Sequence, residues 1–241
     1  MTFTLLACAI AALGLALLGI AGPAYRIGVL SLPNAFTLFR WAAYAGLAAT
    51  LVGLVAGGLA YRRGARVATF LAAMAALGGA AAFGIPFEWQ RQARSVPPIH
   101  DITTDLERPP TFDAIVPLRA DAPNSLERPS DLSERQRLGY PDLAPMTLPV
   151  PSDQAFDRAL AAARQAGWTI VTADKGTGRI EASDTTRWFG FTDDVVVRLT
   201  PSGDGTRVDV RSVSRVGGSD VGTNARRIRQ YLAALREMRE N

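Results

Sequence analysis

The chain has 241 residues, 48% of them apolar, with 26 basic and 22 acidic side chains and a net charge of +4. The basic balance suggests a nucleic-acid partner until it is apportioned: the five charged residues of the first 87 positions are all arginine, while the 21 basic and 22 acidic residues that follow come to −1. The excess charge therefore belongs to an apolar half, no global basic face remains to follow a phosphate backbone, and a nucleic-acid partner is excluded.

Three charge-free runs make up that first half: Phe3 to Tyr25, Trp41 to Tyr61 and Val67 to Phe87. Each is about the 20 residues that a helix needs to cross a hydrocarbon core roughly 30 Å thick. Three transmembrane helices are expected over 1–90. The alternatives are buried soluble helices, or for the first run a secretory signal ending near Ala21-Gly22-Pro23-Ala24. Trp41, Tyr44, Tyr61, Phe87 and Trp89 stand where interfacial anchors belong. Gly53 and Gly57 form a small-xxx-small pair suited to close helix approach, read as packing among the three spans.

Orientation rests on the arginines. Arg62, Arg63 and Arg66 crowd one short turn, against Arg26, Arg40, Arg91 and Arg94 spread over the other side. The dense turn is expected inside. The reading is therefore a multi-pass inner-membrane protein with a cytoplasmic amino terminus and a periplasmic carboxy-terminal domain. Cys8, the sole cysteine, lies in the first run and does not discriminate the compartment. Twenty-five arginines against the single Lys175 read as the mark of a GC-rich, bacterial genome.

Eleven of the fifteen prolines fall between Pro97 and Pro151, which breaks any long helix or central strand. The segment also carries Ile99, Ile102, Phe112, Ile115, Leu118, Leu132 and Tyr140, too much apolar material for a disordered stalk. Residues 91–151 are expected to wrap a globular domain, with one short helix near Asp131 to Leu138.

Residues 152–241 read as an α+β unit: a helix, four antiparallel strands and a second helix. Ser152 or Asp153 caps a helix with an apolar face of Phe156, Leu160 and Ala163, stopped at Gly167. Strands are expected over Trp168–Asp174, Arg179–Ser183, Asp194–Thr200 and Thr206–Val213. The last helix starts near Ser219 and runs Val221, Ile228, Leu232, Leu235 and Met238 along one stripe. For the final hairpin, matching apolar to apolar sets Val195 opposite Val210, Val197 opposite Val208 and Leu199 opposite Thr206. The other face then pairs Asp194 with Arg211 and sets Arg198 against Arg207, two cations that need an acidic side chain or an anionic ligand between them.

Ile102-Thr103-Thr104-Asp105 with Pro109, Pro110 and Phe112, then Tyr140-Pro141-Asp142, Phe189-Gly190-Phe191-Thr192-Asp193-Asp194, and the run Arg211 to Gly222 with Asn224, Arg227 and Ile228 together resemble the domain-of-unknown-function family 1499. The resemblance spans about Ile99 to Leu235. It implies a domain often carried behind bacterial membrane spans, and brings no reaction or cofactor.

Arg198, Arg211, Arg215 and Arg227, with Ser214, Ser219 and Asn224, form the candidate ligand-binding set, suited to a carboxylate or an anionic lipid headgroup through bidentate guanidinium forks. The competing reading pairs these arginines with Asp193, Asp194 and Asp220, and has Ser219 or Asp220 capping the last helix. Asp193 and Asp194 lack His or Cys neighbours, so neither metal nor other cofactor is expected. His100-Asp101 with a serine keeps a membrane-bound hydrolase open, although no G-x-S-x-G elbow is present. The Trp188-Phe189-Gly190-Phe191 tip is expected in the domain core, with a wedge into the bilayer interface as the alternative. The functional expectation is a non-catalytic accessory or envelope interaction module whose partners are the bilayer and other membrane or envelope proteins, with an anionic-lipid binder as the alternative.

Overall fold

A computed structural model describes residues 1–238, in two compact units. The first comprises Met1–Arg94 together with Arg187–Gly190. Its helices are α1 (Thr2–Arg26), α2 (Leu32–Arg62) and α3 (Arg66–Ser95), all long and apolar enough to cross a membrane. Helix α2 starts nine residues before the charge-free run at Trp41, and α3 continues two turns past Phe87, where Glu88 pairs with Arg91 at 2.6 Å.

Small residues set how closely these helices approach. A Cβ on Gly46 would stand 2.6 Å from the Gly79 carbonyl oxygen and the Phe83 amide nitrogen, and one on Gly53 2.9 Å from the Ala72 oxygen. At these positions α2 and α3 meet backbone to backbone, which only glycine permits. Gly53 thus serves packing within the chain, as expected. Thr50 Oγ1 adds a bond to the Ala76 carbonyl at 3.3 Å.

The segment Arg187–Gly190 departs from expectation. Phe189 is buried within this helical unit, with ring centroids 5.7 Å from Phe36 and 5.9 Å from Trp89. Trp188 lies against Gly22, and its Nε1 donates to the Gly19 carbonyl at 3.5 Å. Arg26 donates to the Arg187 carbonyl at 2.9 Å. Only Phe191 of the aromatic tip belongs to the other unit. Large aromatic faces need a deep apolar site, and among these helices they find one lined by other aromatic rings.

The second unit is built on a six-stranded antiparallel sheet rather than four strands. Its strands are β1 (Asp101–Thr103), β2 (Met146–Leu148), β3 (Thr169–Asp174), β4 (Arg179–Thr185), β5 (Thr192–Ser202) and β6 (Gly205–Ser214), in the order β1-β6-β5-β4-β3. Strands β1 and β2 both pair with the free edge of β6, at Arg211–Val213 and at Thr206–Val208 respectively. Three residues are too few to show a period-2 pattern, and β2 is bracketed by Pro145 and Pro149; the β6 edge, with unpaired amides and carbonyls, induces both. Helices α4 (Leu132–Gly139), α5 (Ser152–Gln165) and α6 (Thr223–Glu237) complete the unit, together with a 3-10 turn at Val116–Arg119.

The β5–β6 register differs from the expected one by two residues. Val197 faces Val210, Leu199 faces Val208, and Ser202 faces Gly205. The turn is only Gly203-Asp204, with Gly203 at φ +57° and Asp204 at negative φ, the type II′ pattern that suits right-twisted strands. The tighter turn lengthens both strands. A two-residue slip preserves which face each side chain occupies, so the core valines stay inward. The polar pairings change: Arg198 faces Asp209, Arg211 faces Val196, and Asp194 faces Val213. The expected Asp194–Arg211 pair does not form. Helix α6 also starts four residues later than expected, because Val221 and Gly222 are left-handed at φ +54° and +76°.

One sheet face is apolar. Ile180, Ala182, Val195, Val197, Leu199, Val208 and Val210 meet Phe156 and Ala159 of α5 and Ile228, Tyr231 and Leu235 of α6. Trp168 stacks on Tyr231 at 4.8 Å, and the buried Tyr231 hydroxyl donates to the Ala159 carbonyl at 3.0 Å.

Candidate functional site

The opposite sheet face carries the alternate residues of the same strands: Glu181 and Ser183 of β4, Asp194 and Arg198 of β5, Arg207, Asp209 and Arg211 of β6. Residues 104–128 of the proline-rich segment lie over it. The layer between them is ionic and largely buried.

At its β1 end Arg211 meets Asp101 bidentately, Nε to Oδ1 at 3.0 Å and Nη2 to Oδ2 at 2.8 Å. Its remaining donors reach the Pro110 and Leu126 carbonyls at 3.2 and 2.6 Å, and the guanidinium sits 5.5 Å over the Phe112 ring. Arg128 adds a second cation on Asp101 at 2.6 Å. Burial lowers the Arg128 pKa, with Asp101 opposing the shift and Arg211 adding to it.

Farther along, Asp105 and Asp209 lie between Arg198 and Arg207. Arg198 reaches both carboxylates at 2.9 Å; Arg207 reaches Asp105 at 2.9 Å and Asp209 at 3.0 Å. Of the acidic side chain or anionic ligand expected between these two cations, the structure has acidic side chains, one each from the wrapping segment and β6. Burial raises the Asp105 pKa, but the Arg108 and Glu107 amides and the Arg207 and Arg198 charges outweigh it and hold the carboxyl below its usual value.

At the other end Asp194 accepts from Arg119 at 2.5 Å, Arg215 at 2.9 Å and Ser183 at 2.7 Å. Burial works against its ionisation; the bonds from Arg215, Ser183 and Arg119 prevail and keep it below the usual carboxylate range. The fully buried Glu181 accepts the backbone amides of Asp113 and Ile115 at 2.8 and 2.9 Å, which pins the wrapping segment to mid-sheet.

The remaining candidates meet on the helical side. Asn224 donates to the His100 carbonyl at 2.9 Å and Ser214 Oγ at 3.0 Å, and accepts from Ser212 Oγ at 2.7 Å and from Arg227. Its amide is fully used. Arg227 also bridges Asp193 at 2.6 Å and Asp184 at 2.9 Å; although burial lowers its pKa, these two carboxylates raise it overall. Asp220 accepts the Gly222 and Asn224 amides at 2.8 and 2.7 Å, which organises the start of α6, and Ser219 Oγ accepts the Val221 amide at 3.2 Å. Burial pushes the Asp220 carboxyl above its usual value in spite of those two donors.

The candidate set is thus dispersed over two faces. Arg198, Arg211 and Arg215 lie on the ionic face in three separate clusters, while Asn224, Ser214 and Arg227 share one cluster below α6. Sequence reasoning missed Asp101, Asp105, Arg119, Arg128, Glu181 and Asp209 as members of the layer. A signal was present: a nearly neutral domain with many arginines must hold as many acids, several of them in the proline-rich segment.

Every one of these residues falls within 101–235, the span matched by the family model described as protein of unknown function, DUF1499. The chain belongs to the DUF1499 family. The match opens on Asp101, the carboxylate that holds Arg211, and closes on Leu235, buried on the α6 face of the core. The DUF1499 span therefore contains both the ionic layer and the Asn224–Arg227 cluster. No curated protein matches the chain.

In the DUF1499 layer the carboxylates are engaged within the chain. Asp101 has both oxygens engaged by Arg211 and Arg128, and His100 contributes its backbone carbonyl to Ser214 and Asn224. Among the described residues no group of three His, Cys, Asp or Glu side chains could hold a metal ion.

Proposed function

We propose that this chain is an inner-membrane protein with its amino terminus in the cytoplasm and its DUF1499 domain in the periplasm, acting as a non-catalytic accessory or envelope interaction module. The observation that carries the reading is the use of the arginines. Arg198 and Arg207 bind Asp105 and Arg211 binds Asp101, which holds the wrapping segment to the sheet, while Arg215 and Arg227 bind Asp194 and Asp193 of β5. Binding an anionic amphiphile there requires displacing carboxylates that already hold these guanidiniums, and this favours the accessory reading over a lipid-binding arginine cluster. A His100–Asp101 hydrolase has to free Asp101 from two guanidiniums.

Two measurements test the reading. With Cys8→Ser and Asp204→Cys, a membrane-impermeant maleimide is expected to label the β5–β6 turn in intact cells once the outer membrane is made permeable; labelling only after lysis places the domain inside and overturns the orientation. His100→Ala is expected to restore the phenotype of a deletion strain fully. A stably folded His100→Ala chain that fails to do so reinstates the hydrolase.

A further inference from the structure

The arginines of the ionic layer each hold a carboxylate, whereas a cluster of three arginines in the helical unit holds none. Arg62, Arg63 and Arg66 stand at the α2–α3 turn, all exposed, and among the described residues none of the three guanidiniums makes a hydrogen bond or ion pair. No acidic residue precedes Glu88, and Glu88 is engaged by Arg91. Beside them lies a groove of about 450 Å³ between the start of α1 and the start of α3, walled by Thr4, Leu5, Val67, Ala68 and Leu71 with Arg66 at its rim. The volume is in the range of roughly 300–1,000 Å³ typical of small-ligand sites. Leu5 and Val67 are 57% and 74% exposed, so the apolar wall has no cover within the chain. Ala65, which precedes α3, has no side-chain oxygen to cap that helix, and its first-turn amides add to the positive field.

We propose that this groove binds an anionic phospholipid, its phosphate on Arg66 and the neighbouring Arg62 and Arg63, and one acyl chain along Val67 and Leu71. Arg66 lines an apolar trough at the end of membrane-length helices, with Arg62 and Arg63 four and three residues before it in the chain, a combination that suits an amphiphile carrying negative charge beside a hydrocarbon tail. A free anion leaves the trough exposed; a neutral lipid leaves three cations unmatched. The inference is independent of the role of the DUF1499 domain.

The test uses the full chain, incorporated into nanodiscs of equal phosphatidylglycerol and phosphatidylcholine and then released for native mass spectrometry. Phosphatidylglycerol is expected to be retained over phosphatidylcholine, and R62Q/R63Q/R66Q to reduce that retention by at least about tenfold, given the attraction of each interfacial arginine for anionic lipid. R40Q/R94Q, which removes charge elsewhere on the helices, is expected to leave it unchanged. Ala68→Trp keeps all three arginines and fills the groove, and is expected to abolish retention as well; it decides the matter even where the triple variant inserts poorly. Retention unchanged in Ala68→Trp reduces the effect to surface charge and overturns the site, as does displacement of the lipid by millimolar inorganic phosphate.

Discussion

Arg211 of β6 and Asp101 of β1 are joined by two parallel hydrogen bonds of 3.0 and 2.8 Å, with both side chains at most 5% exposed. The pair closes the sheet edge over a sequence separation of 110 residues. Arg211→Met leaves Asp101 buried with Arg128 alone, and a loss of about 3 kcal/mol is expected, the lower end for breaking a buried pair. Adding Asp101→Asn and Arg128→Met to Arg211→Met should recover part of it, since that triple variant leaves neither the carboxylate nor its second cation uncompensated. Urea unfolding of the detergent-solubilised chain, followed through Trp168, measures both; a single variant as stable as the parent contradicts a stabilising role for the pair.

Acid stability follows from Asp194 and Asp105. Both carboxyls are held below their usual value when folded, so the unfolded chain binds more protons in acid. Their contribution is complete above the unfolded value of about 4 and is lost as pH falls through the folded values. The contribution of these two carboxyls should therefore be nearly flat from about pH 8 to 5 and decline below about pH 4, while Asp220, held above its usual value, opposes them by favouring the folded chain as pH falls. Asp194→Asn should lower stability at neutral pH and flatten the acid decline. An unaltered pH profile in that variant shows that Asp194 is not its source.

Glu181 offers a test of how the wrapping segment is held. Its two oxygens accept the amides of Asp113 and Ile115; glutamine keeps a single acceptor oxygen and presents an NH2 group to the other amide. Glu181→Gln is expected to cost about 1–3 kcal/mol and to speed hydrogen exchange at Asp113 and Ile115 well beyond that at Val197 in the sheet centre. Equal acceleration at all three sites indicates global loosening instead.

In the helical unit, Gly46→Leu forces a side chain onto the Gly79 and Phe83 backbones, whereas a Cβ on Gly58 would meet no atom within 4 Å. Overpacking of this kind typically costs about 1–3 kcal/mol. Gly46→Leu should therefore lower the SDS fraction at which the helices dissociate, and Gly58→Leu should leave it unchanged. Indistinguishable variants count against the backbone contact between α2 and α3.

The sequence by itself determined what depends on local pattern. Charge-free runs of membrane length mark α1, α2 and α3, and period-2 and period-3.6 patterns mark β3 to β6 together with α5 and α6. The inward face of each strand was also legible, because even the two-residue error in pairing Val197 moves no side chain across the sheet. Only the tertiary structure decided the partners. The strands β1 and β2 are too short to carry a periodic signal and exist because β6 offers an unpaired edge. Trp188 and Phe189, apolar enough for any core, lie in the helical unit because the aromatic pocket is there. The arginine-rich hairpin has the composition of an anion site, yet Asp101 and Asp105 reach it from a segment some hundred residues away. Charge along a strand is a local property, but its neutralisation depends on which distant backbone the fold lays over that face.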